Sequence, residues 1–342
     1  MNTSSRKLVS LGMSYAVRDF VLEGKPHIVA ATEDHGPVFL ISPPDWSVSE
    51  LVDGPGGTMA VVPVSSDGRR LAAIMGCFPG YKFHGAGLYQ FELAGDKSSH
   101  WKSTRMADLP FAHRLEVVTV AGEGVVVAAN IAETKENPDD WDKPGTVWQA
   151  PVDAPKWELE PILENLHKNH GMYRTAYHGH ESILISGVEG LFDLAIPKKP
   201  AEAWKPEMIM PTEISEIGLI DLDGDGTDEL VTIEPFHGHL LRVYKEEGGS
   251  WQLRQEHSIS FGHGLWTGTF LGRPGILVGS RSGDKTLKYL APKSAGSTEL
   301  TEEILDEGKA PANIAVVNNG SEELVFVTNP GVEEISLYTV SR

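Results

Sequence analysis

The sequence has one cysteine and no long apolar run. Cys77 has no partner for an internal disulfide, which fits a reducing compartment, and we expect a cytoplasmic protein. The polar N-terminal segment, residues 1–7, is not followed by the apolar stretch of a signal peptide. No segment approaches the roughly 18 consecutive apolar residues of a membrane-spanning helix, so no membrane partner is expected.

Basic side chains are also scarce. The chain has 29 Lys and Arg against 48 Asp and Glu, a formal net charge of −19. A nucleic-acid partner requires clustered Lys and Arg to replace the counterions of the phosphates, so nucleic acid is disfavoured. Hydrophobic residues make up 40% and charged residues 23%, which is ordinary for a globular protein with a core. The sequence does not indicate an oligomeric state.

Tryptophans recur along the chain at a near-constant spacing. Trp46, Trp101, Trp157, Trp204 and Trp251 are separated by 55, 56, 47 and 47 residues. Each stands at the start of a similar short segment, which predicts one recurrent edge strand. The simplest role for these indoles is packing between repeats, and the alternative is a platform on which sugars stack.

Each repeat unit contains several short apolar runs separated by turn residues. In the clearest copy, apolar runs at residues 217–222, 229–233 and 240–244 precede Trp251, with a Gly-rich turn and a loop between them. This order predicts four strands, A to D, per unit. Seven units result, with first strands that start near Met13, Gly57, His113, His170, Ser215, His263 and Pro311.

The two ends of the chain complement each other. The second strands, for example residues 125–129, are nearly continuous in apolar residues, as expected for strands buried on both faces. The seventh unit lacks a D strand, while residues 6–12 are unassigned. We therefore predict one all-β domain over residues 1–342, a seven-bladed β-propeller of four-stranded antiparallel blades in which residues 6–12 complete blade 7. The alternative is a linear solenoid, which would need capping repeats.

One turn between strands A and B carries a recognisable motif. Residues 221–229 read Asp-Leu-Asp-Gly-Asp-Gly-Thr-Asp-Glu, and residues 66–68 match it in part. This pattern resembles the FG-GAP/VCBS class of propeller repeats, and the resemblance implies a loop that often binds Ca²⁺. The oxygen ligands would come from Asp221, Asp223, Asp225 and Glu229. The alternative is a polar turn whose aspartates bond their own backbone.

Histidines occupy two repeated positions of the predicted blades. The start of strand A carries His113, His170 and His263 in blades 3, 4 and 6, and the B–C loop carries His35, His84 and His237 in blades 1, 2 and 5. In a propeller both positions lie on one face, around the mouth of the central channel. An insertion in blade 3, residues 133–144, is long enough to cover that mouth.

Imidazoles at a channel mouth are suited to metal binding and proton transfer. We interpret His113, His170 and His263 as ligands of a divalent transition metal such as Zn²⁺. The candidate catalytic residues are His35, His84, His237, Tyr81, Lys82 and Arg281. Among them, His84 or His237 would act as base, and Arg281 or Lys82 would hold a substrate carboxylate. The alternative is that these histidines are structural and bonded within their own blades.

Two functions are compatible with this face. Seven-bladed propellers with a histidine-rich, metal-bearing mouth occur in aldos-2-ulose dehydratase and among polysaccharide lyases. The resemblance to them implies a carbohydrate-active lyase, dehydratase or isomerase acting on a small molecule or an oligosaccharide, although none of their catalytic motifs matches residue by residue. The alternative is a non-catalytic propeller that binds a protein or a glycan on the same face. We favour the enzyme because adhesion modules of this repeat type carry several intact Asp-rich loops, whereas this chain has one.

Overall fold

The structure is a computed structural model that describes residues 1–80, 82–95, 100–199 and 202–342. Its regular secondary structure is a series of short β-strands joined by turns and loops. No helix long and apolar enough to cross a membrane occurs within these ranges.

The strands follow one another along the chain with similar lengths, so that the same unit is built seven times. In chain order they are β1 (Asn2–Ser10), β2 (Ser14–Leu22), β3 (Lys25–Thr32), β4 (Val38–Ser42), β5 (Ser47–Val52), β6 (Ala60–Pro63), β7 (Arg70–Met75), β8 (Gly87–Leu93), β9 (Trp101–Asp108), β10 (Ala112–Val120), β11 (Glu123–Asn130), β12 (Gly145–Pro151), β13 (Glu160–Leu166), β14 (Gly171–Tyr177), β15 (His180–Ser186), β16 (Leu191–Ala195), β17 (Pro206–Met210), β18 (Glu216–Ile220), β19 (Glu229–Glu234), β20 (Leu240–Glu247), β21 (Ser250–Ser258), β22 (Gly262–Phe270), β23 (Arg273–Ser280), β24 (Leu287–Pro292), β25 (Leu300–Asp306), β26 (Asn313–Asn319), β27 (Glu322–Asn329) and β28 (Glu334–Ser341).

These strands form seven four-stranded antiparallel sheets. Blades 1 to 6 are β2–β5, β6–β9, β10–β13, β14–β17, β18–β21 and β22–β25, and blade 7 is β26–β28 with β1. The prediction of a seven-bladed propeller is therefore confirmed. The innermost strands start within three residues of the predicted blade starts. That residues 1–342 form one domain stays a prediction.

The N-terminal strand closes the ring, as predicted. Strand β1 pairs antiparallel with β28, with Asn2 opposite Ser341 and Ser10 opposite Glu334. The closing strand starts earlier than the predicted segment, residues 6–12, because β28 runs to Ser341 and offers partners along its whole length. This pairing covers an edge of β28 that would otherwise expose its backbone groups.

The core is distributed between the blades. The described chain contains seven apolar clusters, and each joins the facing surfaces of two neighbouring blades. Strand B contributes most to them because both of its faces are covered, as at Val126, Leu184 and Val231, which are fully buried. Each blade is thus held by its two neighbours, and the ring is held by its closure.

The recurrent tryptophans pack at these interfaces. Each indole stands at the start of strand D and contacts the cluster shared with the preceding blade, as Trp157 does between blades 2 and 3. The indole N–H of Trp157 donates to the carbonyl of Val152 at 3.1 Å. The packing role is confirmed for this series.

Alternating strand directions divide the loops between two faces. The starts of the A strands, the B–C loops and the D–A connections lie on one face, which we name the histidine face. The A–B and C–D turns lie on the opposite face, so the Asp-rich turn of blade 5 and the histidine face are at opposite ends of the channel.

Candidate functional site

In three blades the pairing between strands A and B is interrupted by a β-bulge near the start of strand A. The register of the A–B pairing is interrupted where Tyr15, His113 and His263 stand, in blades 1, 3 and 6. Such bulges change the direction of a side chain. The residue two positions earlier has a positive φ in each case, 48° at Met13, 58° at Phe111 and 52° at Phe261.

Four histidines meet at the mouth of the channel. Adjacent ring centroids are 4.5 Å apart for His113 and His170, 4.8 Å for His170 and His237, and 5.1 Å for His237 and His263. His237 reaches the group from the B–C loop of blade 5, where its backbone N–H donates to the Ser215 hydroxyl at 3.2 Å. The predicted convergence of the two repeated positions therefore occurs for these four residues.

Hydrogen bonds to backbone carbonyls orient two of the rings. Nδ1 of His170 lies 2.9 Å from the Ser215 carbonyl, and Nδ1 of His263 lies 2.8 Å from the Ala312 carbonyl. Since a carbonyl only accepts, each Nδ1 carries the proton and leaves a lone pair on Nε2. An anchored Nδ1–H of this kind is typical of histidines that bind metals.

The set of nitrogens that converges differs from the predicted set. Ligand atoms of His170, His237 and His263 all lie within 4.8 Å of one another, which is a distance that one metal ion can bridge. His237 joins His170 and His263 in this group, because its loop brings Nε2 to 3.2 Å from Nε2 of His170. Metal binding by His113, His170 and His263 stays a prediction. Nε2 of His263 also accepts from the Tyr15 hydroxyl at 3.0 Å, so a metal would compete with this bond.

His113 is left without a polar partner. Only 4% of the residue is exposed, yet neither ring nitrogen has a hydrogen-bond partner among the described residues. Buried polar groups are normally satisfied, so an unpartnered imidazole beside a cavity points to a ligand or a water that completes it.

The cluster is neutral near pH 7. Burial lowers the pKa of His113, His237 and His263 well below its usual value, and the charge of Arg114 acts in the same direction on all three. Burial also lowers the pKa of His170. Neutral imidazoles are the form that binds transition metals.

A cavity of about 210 Å³ opens beside the histidines. Its polar lining consists of Tyr15, Glu33, His113, His237, His263 and Arg281. Tyr15 and Glu33 were not among the residues predicted from the sequence. The position of Tyr15 could have been found by aligning the starts of the A strands, since it is the counterpart of His113 and His263 in blade 1.

The candidates His35, His84 and Lys82 do not line this cavity. His35 stacks on Phe78 with the ring centroids 4.2 Å apart, and His84 packs edge-on against Phe111 at 5.0 Å. Lys82 is exposed and does not line the cavity. Tyr81 lies outside the described residues.

The blade 3 insertion contacts the cluster indirectly. Trp141 packs edge-on against Phe236 with centroids 5.1 Å apart, and Phe236 stacks on His237 at 4.0 Å. The Lys135 ammonium lies 3.0 Å from the centroid of the Trp141 ring. Residues 133–144 therefore reach over blade 4 to the loop that carries His237.

An ion-paired layer underlies the histidines. Arg114 pairs with Glu216, whose carboxylate also lies 3.1 Å from Nδ1 of His170. Below this layer a second cavity of about 360 Å³ follows the inner strands, where Arg18 pairs with Glu116 at 3.3 Å.

The ammonium group of Lys245, on strand β20, is paired with the carboxylates of the Asp-rich turn of blade 5. Oxygens of Asp221, Asp223 and Asp225 lie within 4.8 Å of one another, as a Ca²⁺ site requires. The Lys245 ammonium contacts Asp225 at 2.7 Å and Glu229 at 3.0 Å and also bonds Asp223. Asp221 accepts from the backbone of its own turn. Ca²⁺ binding stays a prediction, and an ion here would have to displace Lys245.

Comparisons with known proteins show the fold. No protein-family model and no curated protein matches the sequence. Similar solved structures include the β-propeller domain of Cps50 (Swd1) from Myceliophteria thermophila, with 12% identity, 99% of this chain and 100% of that chain covered and a TM-score of 0.62. They also include the mitotic checkpoint complex, with 10% identity, 99% of this chain and 93% of that chain covered and a TM-score of 0.65. Sqt1 from Saccharomyces cerevisiae has 10% identity, with 100% of this chain and 99% of that chain covered and a TM-score of 0.57. The resemblance to FG-GAP/VCBS repeats continues to rest on the turn motif, and what the chain shares with these structures is the β-propeller fold.

Proposed function

We propose that this protein is a non-catalytic propeller that binds a protein partner through its histidine face. The observation that carries the proposal is that three exposed apolar side chains stand on loops of that face. Val188, Phe261 and Val332 are 39%, 39% and 43% exposed, and they stand on loops of blades 4 to 7. Phe261 also lines the cavity beside the histidines. Exposed apolar side chains on one face are typical of protein-binding surfaces.

The fold is suited to this role. Rigid blades hold the loops in place, so a partner meets a preformed surface at little entropic cost. One of the similar structures is that of the mitotic checkpoint complex, so propellers of this kind occur within protein assemblies. Phe261 also stacks on His237 with the centroids 4.8 Å apart, which places an aromatic anchor beside the cavity.

Site-specific photo-crosslinking in the native cell tests this proposal. A photoreactive residue at position 261 should capture one discrete partner, and the same residue at Leu253, on the outer strand of blade 5, should not. Val188→Glu or Val332→Glu should then lower the affinity for the purified partner about tenfold or more, because each variant places a charge in an apolar contact. Equal capture from positions 253 and 261 would contradict the proposal.

A second function, a metal-assisted carbohydrate lyase or dehydratase, is favoured by one observation. The neutral rings of His170, His237 and His263 present three converging nitrogens. Three histidines with an open position suit a catalytic Zn²⁺, and a bound Zn²⁺ would polarise a carbonyl or carboxylate of the substrate.

Metal analysis distinguishes the two functions. After incubation with Zn²⁺ and removal of unbound metal by dialysis, the protein should retain one Zn²⁺ per chain. The His237→Ala variant should retain none. The control His178→Ala, on the opposite face, should retain the metal. Elimination from acidic sugars, followed by the absorbance of the unsaturated product, should then require the metal. Retained metal without elimination supports binding alone, and no retained metal contradicts the lyase.

A further inference from the structure

The cavity beside the histidine cluster is lined by a cation, Arg281, that has no ion-pair partner among the described residues. Arg281 lines it and makes no ion pair or side-chain hydrogen bond with any residue in the described part of the chain. Its guanidinium carbon lies 5.8 Å from the centroid of the Phe261 ring. A half-buried guanidinium usually pairs with an anion, so this one is available to a ligand.

A hydrogen-bond donor faces the same cavity. His113 lines it, is almost fully buried, and has no partner at either ring nitrogen among the described residues. In either protonation state the ring carries at least one N–H. A ligand with an acceptor group would satisfy a group that the fold itself leaves unsatisfied.

The local charge favours an anion although the whole chain is acidic. The nearby cation Arg114 is neutralised by Glu216, whereas Arg281 is not neutralised by an ion pair in the described structure. One carboxyl group, Glu33, also lines the cavity, and burial raises its pKa against the opposing effect of Arg281. Glu33 therefore opposes anion binding less than an exposed carboxylate would.

We propose that this cavity binds a small organic carboxylate, with Arg281 as its charge partner and the His113 ring N–H as a second donor. The volume of about 210 Å³ is below the range of pockets for drug-sized ligands, so it suits an acid with few heavy atoms. This site shares Phe261 with the proposed partner surface, but it requires no second protein and can be tested with small acids alone.

Calorimetric titration with matched acids and amides tests the proposal. The probes are acetate, succinate and benzoate against acetamide, succinamide and benzamide. At least one acid should bind about tenfold or more tightly than its amide, because a charge-assisted bond to Arg281 is lost in the amide. Equal binding of acid and amide, or no binding of any acid at millimolar concentration, would overturn it.

Two substitutions with opposite effects make the assignment specific. Arg281→Gln should weaken binding of the acid about tenfold or more, and Glu33→Gln should strengthen it, because one removes an attractive charge and the other a repulsive one. Arg254→Gln, on the outer strand of blade 5, serves as the control and should bind as the unmodified protein does. Arg281→Gln with unchanged affinity would exclude Arg281 as the charge partner.

The role of His113 needs a separate pair of variants. His113→Phe removes the donor and should weaken binding several-fold, whereas His113→Gln keeps an N–H and should restore part of it. Circular dichroism establishes that each variant is folded. If the buried substitutions do not fold, the Arg281 and Glu33 variants still decide the proposal, because both residues are only partly buried.

Discussion

The four clustered histidines, of which three are buried and His237 is half-buried, should make the stability of the ring depend on pH. Burial lowers the pKa of His113, His170, His237 and His263, so the folded chain binds fewer protons than the unfolded chain below about pH 6.5. The free energy of unfolding should therefore fall as the pH falls through this range. Each histidine contributes up to about 1.4 kcal/mol per pH unit until its folded pKa is reached.

Urea unfolding between about pH 5 and 7.5 measures this dependence. His113→Asn should reduce the slope of the unfolding free energy against pH. The reason is that His113 takes up a proton when the chain unfolds, and asparagine does not. His178→Asn serves as the control, since the ring of His178 is exposed on the opposite face. A slope that is unchanged in His113→Asn would contradict the prediction.

Lys245 takes the position of a cation in the Asp-rich turn. Lys245→Ala should lower stability by about 1–3 kcal/mol, because Glu229 and Asp223 are then left without their charge partner. Millimolar Ca²⁺ should raise the melting temperature of this variant more than that of the unmodified protein. The control is Lys293→Ala, an exposed lysine paired with Glu299. No response to Ca²⁺ in any of the three proteins would show that the turn is not a Ca²⁺ site.

Among the elements, the closing strand β1 is the one whose removal should open the ring. Deletion of residues 1–10 removes the antiparallel ladder between β1 and β28. Since a ladder hydrogen bond is worth about 1 kcal/mol, the loss should amount to several kcal/mol and expose an edge that promotes aggregation. Thermal unfolding and size-exclusion chromatography measure both effects. A Gly-Ser segment of equal length is the control for chain length, and full stability of the deletion would contradict ring closure by β1.

We expect the blade 3 insertion to hold the loop of His237 through the edge-on contact of Trp141 with Phe236. Trp141→Ala should raise the rate of amide hydrogen exchange in residues 133–144 and 236–239, because the contact between Trp141 and Phe236 is lost. Trp141→Phe keeps an aromatic ring and should restore most of the protection. Increased exchange confined to residues 133–144 would mean that the insertion does not hold the loop.

Several features of these elements could be predicted from the sequence. The order of blades followed from apolar runs and turn residues, since each blade repeats the same local pattern. Placement of His113, His170 and His263 followed from the same repeat. Tyr15 was missed because its residue type differs from that of its counterparts, although its position is the same. The close approach of His237 to His170 and His263 could not be predicted, because it depends on the course of the loop that carries His237.

For the whole molecule, the seven interfaces make the ring cooperative. Each blade buries apolar surface against two neighbours. A fragment that contains only some of the blades would therefore expose the apolar surface of the blade at each of its two ends. A fragment of residues 1–211, which ends between blades 4 and 5, should remain unfolded, whereas the full chain should melt in one transition. Scanning calorimetry and circular dichroism measure this. Independent folding of the fragment would favour separate domains over one.

The sequence by itself determined the class of fold, the number of blades and the face on which the histidines stand, because these depend on local patterns that recur every 44 to 57 residues between the predicted blade starts. Only the tertiary structure decided which side chains meet. His237 meets histidines that stand on other blades, and Arg281 faces a cavity lined by residues of several blades. Such contacts are set by the packing of distant segments, which no local pattern encodes.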